Sequence, residues 1–450
     1  MKYIVNIIRV LVGALFIFSG FVKAIDPLGT GYKMHEYFAS FATIGMQSFW
    51  QWMNGLSTPI SVIMIVLEMV AGIALLTGWA NRFTVWLLFL MTLFFTVLTG
   101  FTYLSGYCPN SMFAVFSIVL VALFMVCAAK YHTANGKKIF AVTLLALLAF
   151  VVLLKFTNLL LTCDFDKTKM KVTDCGCFGD FLHLEPHTTF WKDIILDILI
   201  FILVIGVDYI KPLFKAFATN AVTVAATVAS LWFCFSNYLW GLPIVDFRPY
   251  KIGNNIRELR TVQKDPVIEY VFIYKNKKTG EQKEFGMNEL GNLNDDWEFD
   301  TKAGDGGRKD KIIDPGIPAK IDGFYINDEH GDITDSLLSD KNYSLMVVAY
   351  HLSETEKDAF TEKLNPLEAQ CEKAGISFYC VTGGDIPSDP FRHDMQTAYP
   401  FYTSDETPLK TIIRSNPGLV LLKNGVVINM WHHRHIPEFA ELNEMYFSKK

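Results

Sequence analysis

Residues 9–29 read RVLVGALFIFSGFVKAIDPLG, and residues 175–200 read CGCFGDFLHLEPHTTFWKDIILDILI. Each stretch joins a long apolar run to a short polar turn, and each run contains a few charged residues. A hydrocarbon layer of about 30 Å needs roughly 20 helical residues to cross it. Both runs approach that length, so the two stretches predict an α-helical membrane bundle with reactive groups near its helix ends.

The rest of the chain divides at about residue 240. Of the 450 residues, 51% are hydrophobic and 19% are charged. Residues 1–240 hold 15 Lys and Arg against 11 Asp and Glu, whereas residues 241–450 hold 25 against 34. The first part is too apolar for a soluble domain, and the second has an ordinary globular composition. This division excludes a wholly soluble enzyme, and the net charge of −5 excludes a nucleic-acid binder.

Seven apolar stretches are predicted to span the lipid bilayer as a transmembrane domain over residues 1–240. They lie at 4–25, 58–78, 83–104, 111–129, 138–162, 189–210 and 216–239. The first stretch resembles a secretory signal, but Arg9 and Lys23 interrupt it and no small-residue cleavage site follows. It is therefore expected to remain as a membrane helix. The stretch 111–129 is short, and whether it and 138–162 both cross fully stays open.

Basic residues in the short loops predict the orientation of the bundle. If the chain starts in the cytoplasm, the following residues all lie on the cytoplasmic side: Lys2, Arg9, Arg82, Lys130, Lys137, Lys138, Lys211 and Lys215. Seven crossings then place the C-terminal half outside the cytoplasm, which in a bacterium is the periplasm. The expected location is the cell inner membrane, as a multi-pass protein.

Ionisable residues inside membrane spans are costly, so each is expected to have a partner or a function. Six such residues are Arg9, Lys23, Glu68, Lys155, Asp193 and Asp197. Arg9 is placed to reach toward Glu68, and Lys155 lies close to the depth of Asp197. Asp193 and Asp197 are four residues apart and share one helix face. Two interpretations stay open: structural ion pairs, or a proton path and polar pocket under the outer surface.

Four of the eight cysteines fall on the predicted outer face, where disulfides form and persist. These are Cys108, Cys163, Cys175 and Cys177. The other four, Cys127, Cys234, Cys371 and Cys380, are expected to serve packing.

The Cys175-Gly176-Cys177 sequence is the sharpest local motif. A disulfide within it would close a small strained ring, and strain makes a disulfide a better oxidant. Together with Cys108 and Cys163 it suits a relay of two thiol pairs. Lys169, Lys171 and Lys192 are candidates for the positive charge that favours a thiolate. Two alternatives remain: a structural disulfide clamp, or a zinc or copper site with His183 or His187.

These motifs resemble the DoxX/MauE-like membrane proteins, more closely the long Bacteroidetes-type members with a C-terminal periplasmic domain. The matching residues are Arg9, Ser19, Gly20, Lys23, Asp26, Pro27, Glu68, Cys175, Cys177, Gly179, Trp191 and Asp193. The resemblance implies a four-helix core. It also implies disulfide formation in a periplasmic protein, or quinone-coupled oxidation of thiols or thiosulfate. Residues 108–165 look inserted and a seventh span looks appended, so Cys108 and Cys163 take no role from the family.

Polar sequence begins near residue 241 and predicts two further domains. Residues 241–330 form a β-rich connector, with alternating runs such as VIEYVFIYKN and KIDGFYIND, and with a polar loop over 291–310. Residues 331–450 alternate between strands and helices and end in a hairpin with Asn424-Gly425 at its turn. This order resembles the thioredoxin fold, with Pro417 where that family has a cis-proline.

The thioredoxin-like domain lacks its redox chemistry, since HLSETE (351–356) follows the first strand where a cysteine pair is expected. A recognition or docking module is therefore favoured over a catalyst. His433 and His435 would converge on one face of a strand and bind a metal or anion, although exposed strand-end side chains are the simpler interpretation.

The leading hypothesis is a thiol-disulfide redox protein with Cys175 and Cys177 as the exchanging pair, Cys108 and Cys163 as the auxiliary pair, and a quinone as acceptor. Its clients would be periplasmic proteins. The alternative is a non-catalytic membrane scaffold that recruits partners in envelope assembly and uses its disulfides structurally.

Overall fold

The computed structural model describes residues 1–43, 45–105, 172, 176–182, 184–303, 306–314 and 316–448. The chain forms two compact units, Met1–Arg248 and Pro249–Lys450, and each is described by itself. The predicted spans 111–129 and 138–162 lie outside the described residues. So do Lys155, Cys108, Cys163 and Cys175.

The N-terminal unit is helical. Its helices are α1 (Lys2–Ile25), α2 (Pro27–Ala42), α3 (Gln47–Asn54), α4 (Ser57–Thr77), α5 (Asn81–Ser105), α6 (Pro186–Ile205) and α7 (Ala216–Phe235). Among the described residues, α1, α4, α5 and α7 with its extension to Trp240 are long and apolar enough to cross a membrane. Helix α6 has 20 residues and carries Lys192, Asp193 and Asp197 within its apolar sequence. These helices match five of the predicted stretches to within a few residues.

Local sequence explains where α1 and α4 end. Asp26 follows α1 and accepts a hydrogen bond from the Gly29 amide at the start of α2, and Pro27 occupies the first turn of α2. Proline has no N–H to continue α1 but suits the first position of a new helix. Gly78 ends α4 in a left-handed conformation (φ +77°), which a residue without Cβ adopts freely.

Helix α1 packs along α4, and α5 packs along α6. The α1–α4 approach is close because both helices place glycines at the contact. A Cβ on Gly72 would lie 2.8 Å from the Gly13 carbonyl oxygen. The core between the helices is apolar and includes Val12, Leu88 and Ile200. Small interface residues of this kind let membrane helices gain van der Waals contact without a hydrophobic driving force.

Arg9 lies at the end of the bundle where α1 begins and α4 finishes. Its guanidinium donates hydrogen bonds to the carbonyl oxygens of Leu75 (2.7 Å), Leu76 (2.6 Å) and Lys211 (3.0 Å). The expectation that Arg9 reaches toward Glu68 is therefore wrong. The last carbonyls of α4 have no intrahelical donor, and Arg9 lies at their depth and satisfies them.

The C-terminal unit contains two sheets. The first has strands β1 (Val267–Asn276), β2 (Gln282–Gly286), β3 (Trp297–Phe299) and β4 (Arg308–Asp314), with β2, β3 and β4 all antiparallel to β1. Strand β3 lies inside 291–310, which the sequence predicted as a loop. Aromatic packing explains the difference, because Trp297 contacts Phe285 and Phe299 contacts Tyr274 across the sheet.

The second sheet is mixed. Its strands are β5 (Asn327–Asp328), β6 (Gly331–Asp332), β7 (Tyr343–Ala349), β8 (Ser377–Thr382), β9 (Phe401–Thr403), β10 (Gly418–Lys423) and β11 (Val426–His432), in the order β11-β10-β7-β8-β9-β5-β6. Strands β7, β8 and β9 are parallel, and β10 is antiparallel to both β7 and β11. Asn424 and Gly425 turn the β10–β11 hairpin with positive φ, as their sequence predicts. Of the run KIDGFYIND, only Asn327 and Asp328 form a strand.

Helices cover this sheet. They are α8 (Ile256–Leu259), α9 (Thr334–Leu338), α10 (Lys357–Ala359), α11 (Asn365–Ala374), α12 (Ser388–Met395), α13 (Glu406–Ile412) and α14 (Phe439–Leu442), and a π-helical turn (Phe360–Leu364) joins α10 to α11. The core beneath them includes Leu345, Phe360 and Leu421. The peptide bond between Asn416 and Pro417 is cis.

Candidate functional site

Helices α1, α4, α5 and α6 and the turn that contains Cys177 border a cavity of about 30 Å³, called the inner cavity. Its lining residues are Leu15, Phe16, Ser19, Lys23, Glu68, Phe95, Cys177, Phe178, Lys192, Asp193 and Leu196. This volume is enough to hold ordered water between the polar side chains. The fold therefore brings one predicted thiol together with three of the predicted intramembrane charges and one flanking lysine.

Lys23 and Glu68 form a buried ion pair across α1 and α4. The Lys23 ammonium lies 2.7 Å from one carboxylate oxygen of Glu68 and 3.0 Å from the other, and the two side chains are 4% and 3% exposed. The ammonium also lies over the ring of Phe95, 4.7 Å from its centre. Burying an isolated charge at this depth would cost much free energy, and each of the two charges offsets part of that cost for the other.

Lys192 joins the thiol of Cys177 to a carboxylate. Both residues line the inner cavity, where the ammonium acts electrostatically on the thiol, and the ammonium lies 3.0 Å from Asp193 Oδ1. Asp193 Oδ2 in turn accepts a hydrogen bond of 3.0 Å from the Thr99 hydroxyl of α5. The Phe178 ring faces the same ammonium at 5.0 Å. Asp193, fixed by Thr99, therefore holds the lysine on the side of the cavity that also carries the thiol.

Asp197 lies one helical turn further along α6. Its Oδ2 accepts a hydrogen bond of 2.7 Å from the Thr96 hydroxyl, and its Oδ1 has no partner among the described residues. The shared face predicted for Asp193 and Asp197 is found, since both meet threonines of α5. The expected neighbour of Asp197, Lys155, lies outside the described residues. Thr96 and Thr99 were not predicted as site residues, although their three-residue spacing in an apolar helix places them on one face.

The turn that carries Cys177 depends on two glycines. Gly176 (φ +61°) and Gly179 (φ +52°) adopt left-handed backbone conformations. The Ser19 hydroxyl donates a hydrogen bond of 3.2 Å to the Cys177 carbonyl and so attaches the turn to α1. Cys177 is half-buried and carries a free thiol. The sequence predicted the conformational role of Gly176, whereas the anchoring role of Ser19 needed the structure.

Burial raises the pKa of the Cys177 thiol to about 11, although Lys192 acts in the opposite direction. At neutral pH this sulfur is therefore almost wholly protonated. The predicted benefit of nearby positive charge is present but smaller than the cost of placing a thiolate among apolar side chains. A thiol with this pKa would attack a disulfide slowly, and as a leaving group it would need a proton.

A second polar cluster lies where three parallel strands of the C-terminal unit end. His351 follows β7, Asp385 follows β8 and Glu406 follows β9. His351 Nε2 lies 2.7 Å from Glu406 and Nδ1 lies 3.7 Å from Asp385, and Glu406 also pairs with Lys410. This cluster was not predicted from the sequence, although polar residues that follow successive parallel strands are the pattern that indicates it.

Asp385 organises the loop HLSETE. Its carboxylate accepts hydrogen bonds from the Leu352 amide, the Ser353 amide and the Ser353 hydroxyl at 2.8, 2.9 and 2.6 Å. Burial raises the pKa of Asp385, but these hydrogen bonds outweigh it and lower the pKa to about 2. The cluster therefore connects the loops that follow β7, β8 and β9.

The histidines after β11 do not lie on a strand. His433–His435 form a 3₁₀ turn, so the predicted convergence of His433 and His435 on a strand face is wrong. Burial lowers the pKa of His432 to about 3 and that of His433 to about 4, and neighbouring cations including Arg434 lower both further. These rings are neutral at physiological pH, and His433 Nδ1 lies 3.1 Å from the Ser415 hydroxyl.

Three of the cysteines expected to serve packing are buried: Cys234 in the N-terminal unit, and Cys371 and Cys380 in the C-terminal unit. Within the part of the chain that the structure describes, no group of three or more His, Cys, Asp or Glu side chains is placed to hold a metal ion. The metal site considered for the two thiols with His183 or His187 stays a prediction, because Cys175 and His183 lie outside that part.

Residues 1–107 match the family model of the methylamine utilisation protein MauE. The match covers α1 to α5 and ends before the CGCFG turn. It confirms the resemblance to DoxX/MauE-like membrane proteins over residues 1–107, about a quarter of the chain. No curated protein and no solved structure matches the chain.

Proposed function

We propose that this chain is a MauE-like inner-membrane thiol-disulfide exchange protein, with Cys175 and Cys177 as its exchanging pair on the periplasmic face. The seven-span topology and the C-terminal periplasmic position predicted from loop charges are part of the proposal. One observation carries it: the Cys177 thiol meets the Lys192 ammonium at a cavity that also holds the Lys23–Glu68 ion pair.

The free-energy cost of burying the charged side chains around the inner cavity favours a functional role for them. Charged groups inside a membrane bundle are expensive, even when paired, and apolar side chains of similar volume would hold the helices together at least as well. A thiol placed beside them gains a proton donor and acceptor that bulk water cannot supply at that depth. Under the alternative interpretation, the charged residues only form structural ion pairs. That interpretation does not explain why Cys177 lies beside Lys192.

The exchange reaction balances without any further reagent. A client thiolate attacks the Cys175 sulfur of the Cys175–Cys177 disulfide, and the Cys177 sulfur leaves. A second client thiolate then attacks the client sulfur of the mixed disulfide and releases Cys175. Two electrons and two protons pass from the client dithiol to the pair, and the client gains a disulfide.

Lys192 acts on the departing sulfur. A thiol with a pKa of about 11 is a poor leaving group as a free thiolate, so it needs a proton as the sulfur–sulfur bond breaks. The Lys192 ammonium can supply that proton and recover it when the disulfide re-forms. Asp193 and Thr99 hold the ammonium in place throughout.

A quinone acceptor remains part of the proposal, but the described residues do not form a site for it. No step is therefore assigned to a quinone. Cys108 and Cys163 remain the proposed auxiliary pair.

The C-terminal unit is proposed to be a thioredoxin-like docking domain of residues 331–450, preceded by a connector of residues 241–330 and a membrane domain of residues 1–240. Parallel β7 and β8 with the antiparallel β10–β11 hairpin on the other side of β7 support the fold. The loop HLSETE, which Asp385 holds by hydrogen bonds, occupies the position at which a thioredoxin carries its redox cysteine pair. A periplasmic client, or an envelope complex in the scaffold alternative, would be its partner.

Trapping the thiol states of the full-length protein in intact cells tests the proposal. Cells are treated with a mass-tagging maleimide, with and without reductant or respiratory block, and Cys177 is followed by peptide mass spectrometry. A redox protein shows Cys175 and Cys177 changing state and forming mixed disulfides with clients. A scaffold shows one fixed state, and its Cys→Ser variants still support assembly.

Lys192→Gln sharpens the test, and Lys215→Gln at the end of the bundle near Arg9 is the matched control. Losing the ammonium should slow disulfide exchange at Cys177 by about tenfold, as expected for one charge-assisted hydrogen bond. The control should exchange at the wild-type rate. Equal rates in both variants would remove Lys192 from the mechanism.

A further inference from the structure

The chain between α2 and α4 carries no charged side chain. Residues 37–67 contain no Asp, Glu, Lys or Arg, and helix α3 (Gln47–Asn54) lies in the middle of them. With eight residues, α3 is about 12 Å long and cannot cross a hydrocarbon layer of about 30 Å. Its depth and its exposed side chains decide whether water, protein or the membrane surface surrounds it.

Helix α4 fixes the depth of α3 from one side. The 21 residues of α4 measure about 32 Å, so its first residue, Ser57, lies at the boundary of the hydrocarbon layer when α4 crosses that layer. Three residue steps separate Asn54 from Ser57, and they span at most about 11 Å. The last turn of α3 therefore lies within or next to the headgroup layer on the side where α4 begins.

Aromatic contacts fix the same depth from α5. The Trp50 ring of α3 lies 5.0 Å from the Phe41 ring of α2, which lies 5.0 Å from the Phe101 ring of α5. Phe101 follows Asn81, the first residue of α5, by 20 residues and hence lies about 30 Å along that helix. This distance equals the thickness of the hydrocarbon layer. Helices α4 and α5 therefore place α3 at the same membrane boundary.

The sides of α3 differ in polarity. Phe49 and Trp52 lie on one side, 41% and 62% exposed, with their ring centres 6.3 Å apart. Successive residues of an α-helix are rotated by about 100°, which separates this aromatic side from a polar one. The polar side is exposed and carries Gln47, Ser48 and Gln51. Helix α3 is therefore amphipathic, and the protein leaves much of its aromatic side uncovered.

The exposed aromatic side chains suit the boundary between lipid headgroups and acyl chains. Tryptophan combines a large apolar ring with an N–H donor and is enriched in this layer of membrane proteins. An amphipathic helix binds there with its apolar side toward the acyl chains and its polar side toward water. Residues 37–67 bring no charge that would have to be desolvated in that layer.

We propose that α3 lies along the membrane surface on the side where α4 begins, with Phe49 and Trp52 inserted among the headgroups and upper acyl chains of the lipids. The partner of this surface is the lipid bilayer itself. The inference rests on the membrane location of the bundle and is independent of any thiol chemistry. Helix α2, which packs against α3, is then held at the same boundary.

Fluorine NMR of the full-length protein in phosphatidylcholine nanodiscs tests the depth of Trp52. The nine tryptophans are replaced biosynthetically by fluorotryptophan, and Trp52→Phe removes and so assigns one resonance. Trp50→Phe assigns the tryptophan of the same helix that faces α2, which is the internal control. The paramagnetic probes are a lipid with a nitroxide near the carboxyl end of its acyl chain, a lipid with the nitroxide near the methyl end, and a water-soluble gadolinium chelate.

The carboxyl-end nitroxide should broaden the Trp52 resonance most, and at least about threefold more than it broadens that of Trp50. Stronger broadening by gadolinium would place α3 in water, and stronger broadening by the methyl-end nitroxide would place it in the hydrocarbon core. Protection of Trp52 from all probes would mean that a second copy or another segment of the chain covers it. Equal broadening of the two tryptophans would contradict the orientation of α3. Any of these outcomes overturns the proposal.

Two variants of α3 introduce the same charge on different sides. Phe49→Asp should lower the broadening of Trp52 by the carboxyl-end nitroxide about threefold, because its carboxylate would have to enter the lipid. Gln51→Asp, two residues away on the polar side, should leave that broadening unchanged. Thermal unfolding checks that both variants fold, and the wild-type measurement depends on neither. Equal losses in the two variants would overturn the division of α3 into a lipid side and a water side.

Discussion

The inner cavity of the helical bundle and the strand-end loops of the C-terminal sheet both gather charged side chains, but they stabilise them differently. In the bundle, Lys23 and Glu68 neutralise each other at 4% and 3% exposure. At the sheet, Asp385 is 16% exposed and is held by two backbone amides and a hydroxyl. A buried charge in the bundle needs an opposite charge, whereas a carboxylate near water needs only donors.

Breaking the Lys23–Glu68 pair should have the largest effect. Glu68→Gln leaves the Lys23 ammonium buried without a counter-charge, and we expect the free energy of unfolding to fall by about 3–5 kcal/mol. Thermal unfolding of the detergent-solubilised protein, followed by tryptophan fluorescence, measures it. The double variant Lys23→Met/Glu68→Met should recover most of the loss. A single variant as stable as wild type would contradict the ion-pair account.

Asp385→Asn should have a smaller effect. It weakens three hydrogen bonds to one carboxylate, which we expect to cost about 1.5–3 kcal/mol, because hydrogen bonds to a charged group exceed neutral ones. Thermal unfolding at pH 7 measures the effect. The control is Asp389→Asn, because the Asp389 side chain is 90% exposed. Equal stability of the two variants would mean that the loop does not depend on Asp385.

The same residue predicts a pH dependence. The pKa of Asp385 is lowered from 3.8 to about 2 in the folded protein, so its contribution is complete above about pH 4 and is lost as the pH falls toward 2. Between pH 5 and pH 2, the unfolding temperature of the wild type should therefore fall by more than that of Asp385→Asn. Parallel curves would contradict the lowered pKa.

Replacing an exposed pair at the other end of the bundle should have the smallest effect. Arg82 and Asp208 lie 3.3 Å apart with side chains 82% and 62% exposed, so water already solvates both. Arg82→Gln should change the free energy of unfolding by less than about 0.5 kcal/mol in the same fluorescence assay. A loss near that of Glu68→Gln would show that burial is not what separates the two pairs.

Much of the fold was accessible from sequence because its signals are local. The length and apolar character of α1, α4, α5 and α7 follow from neighbouring residues alone, as does the β10–β11 turn at Asn424-Gly425. Strand β3 was missed because its short run becomes a strand only when Trp297 and Phe299 meet aromatic rings on β1 and β2.

The candidate site also has features that the sequence determines and features that only tertiary packing determines. The sequence by itself determined that the membrane half carries charges which need partners, and that Gly176 frees a turn between two cysteines. Only the tertiary structure decided which partners meet: Glu68 pairs with Lys23 rather than Arg9, and Lys192 pairs with Asp193 in the cavity that Cys177 lines. Charge and length are properties of a segment, whereas the partner of a side chain depends on the rotation and depth at which two helices pack.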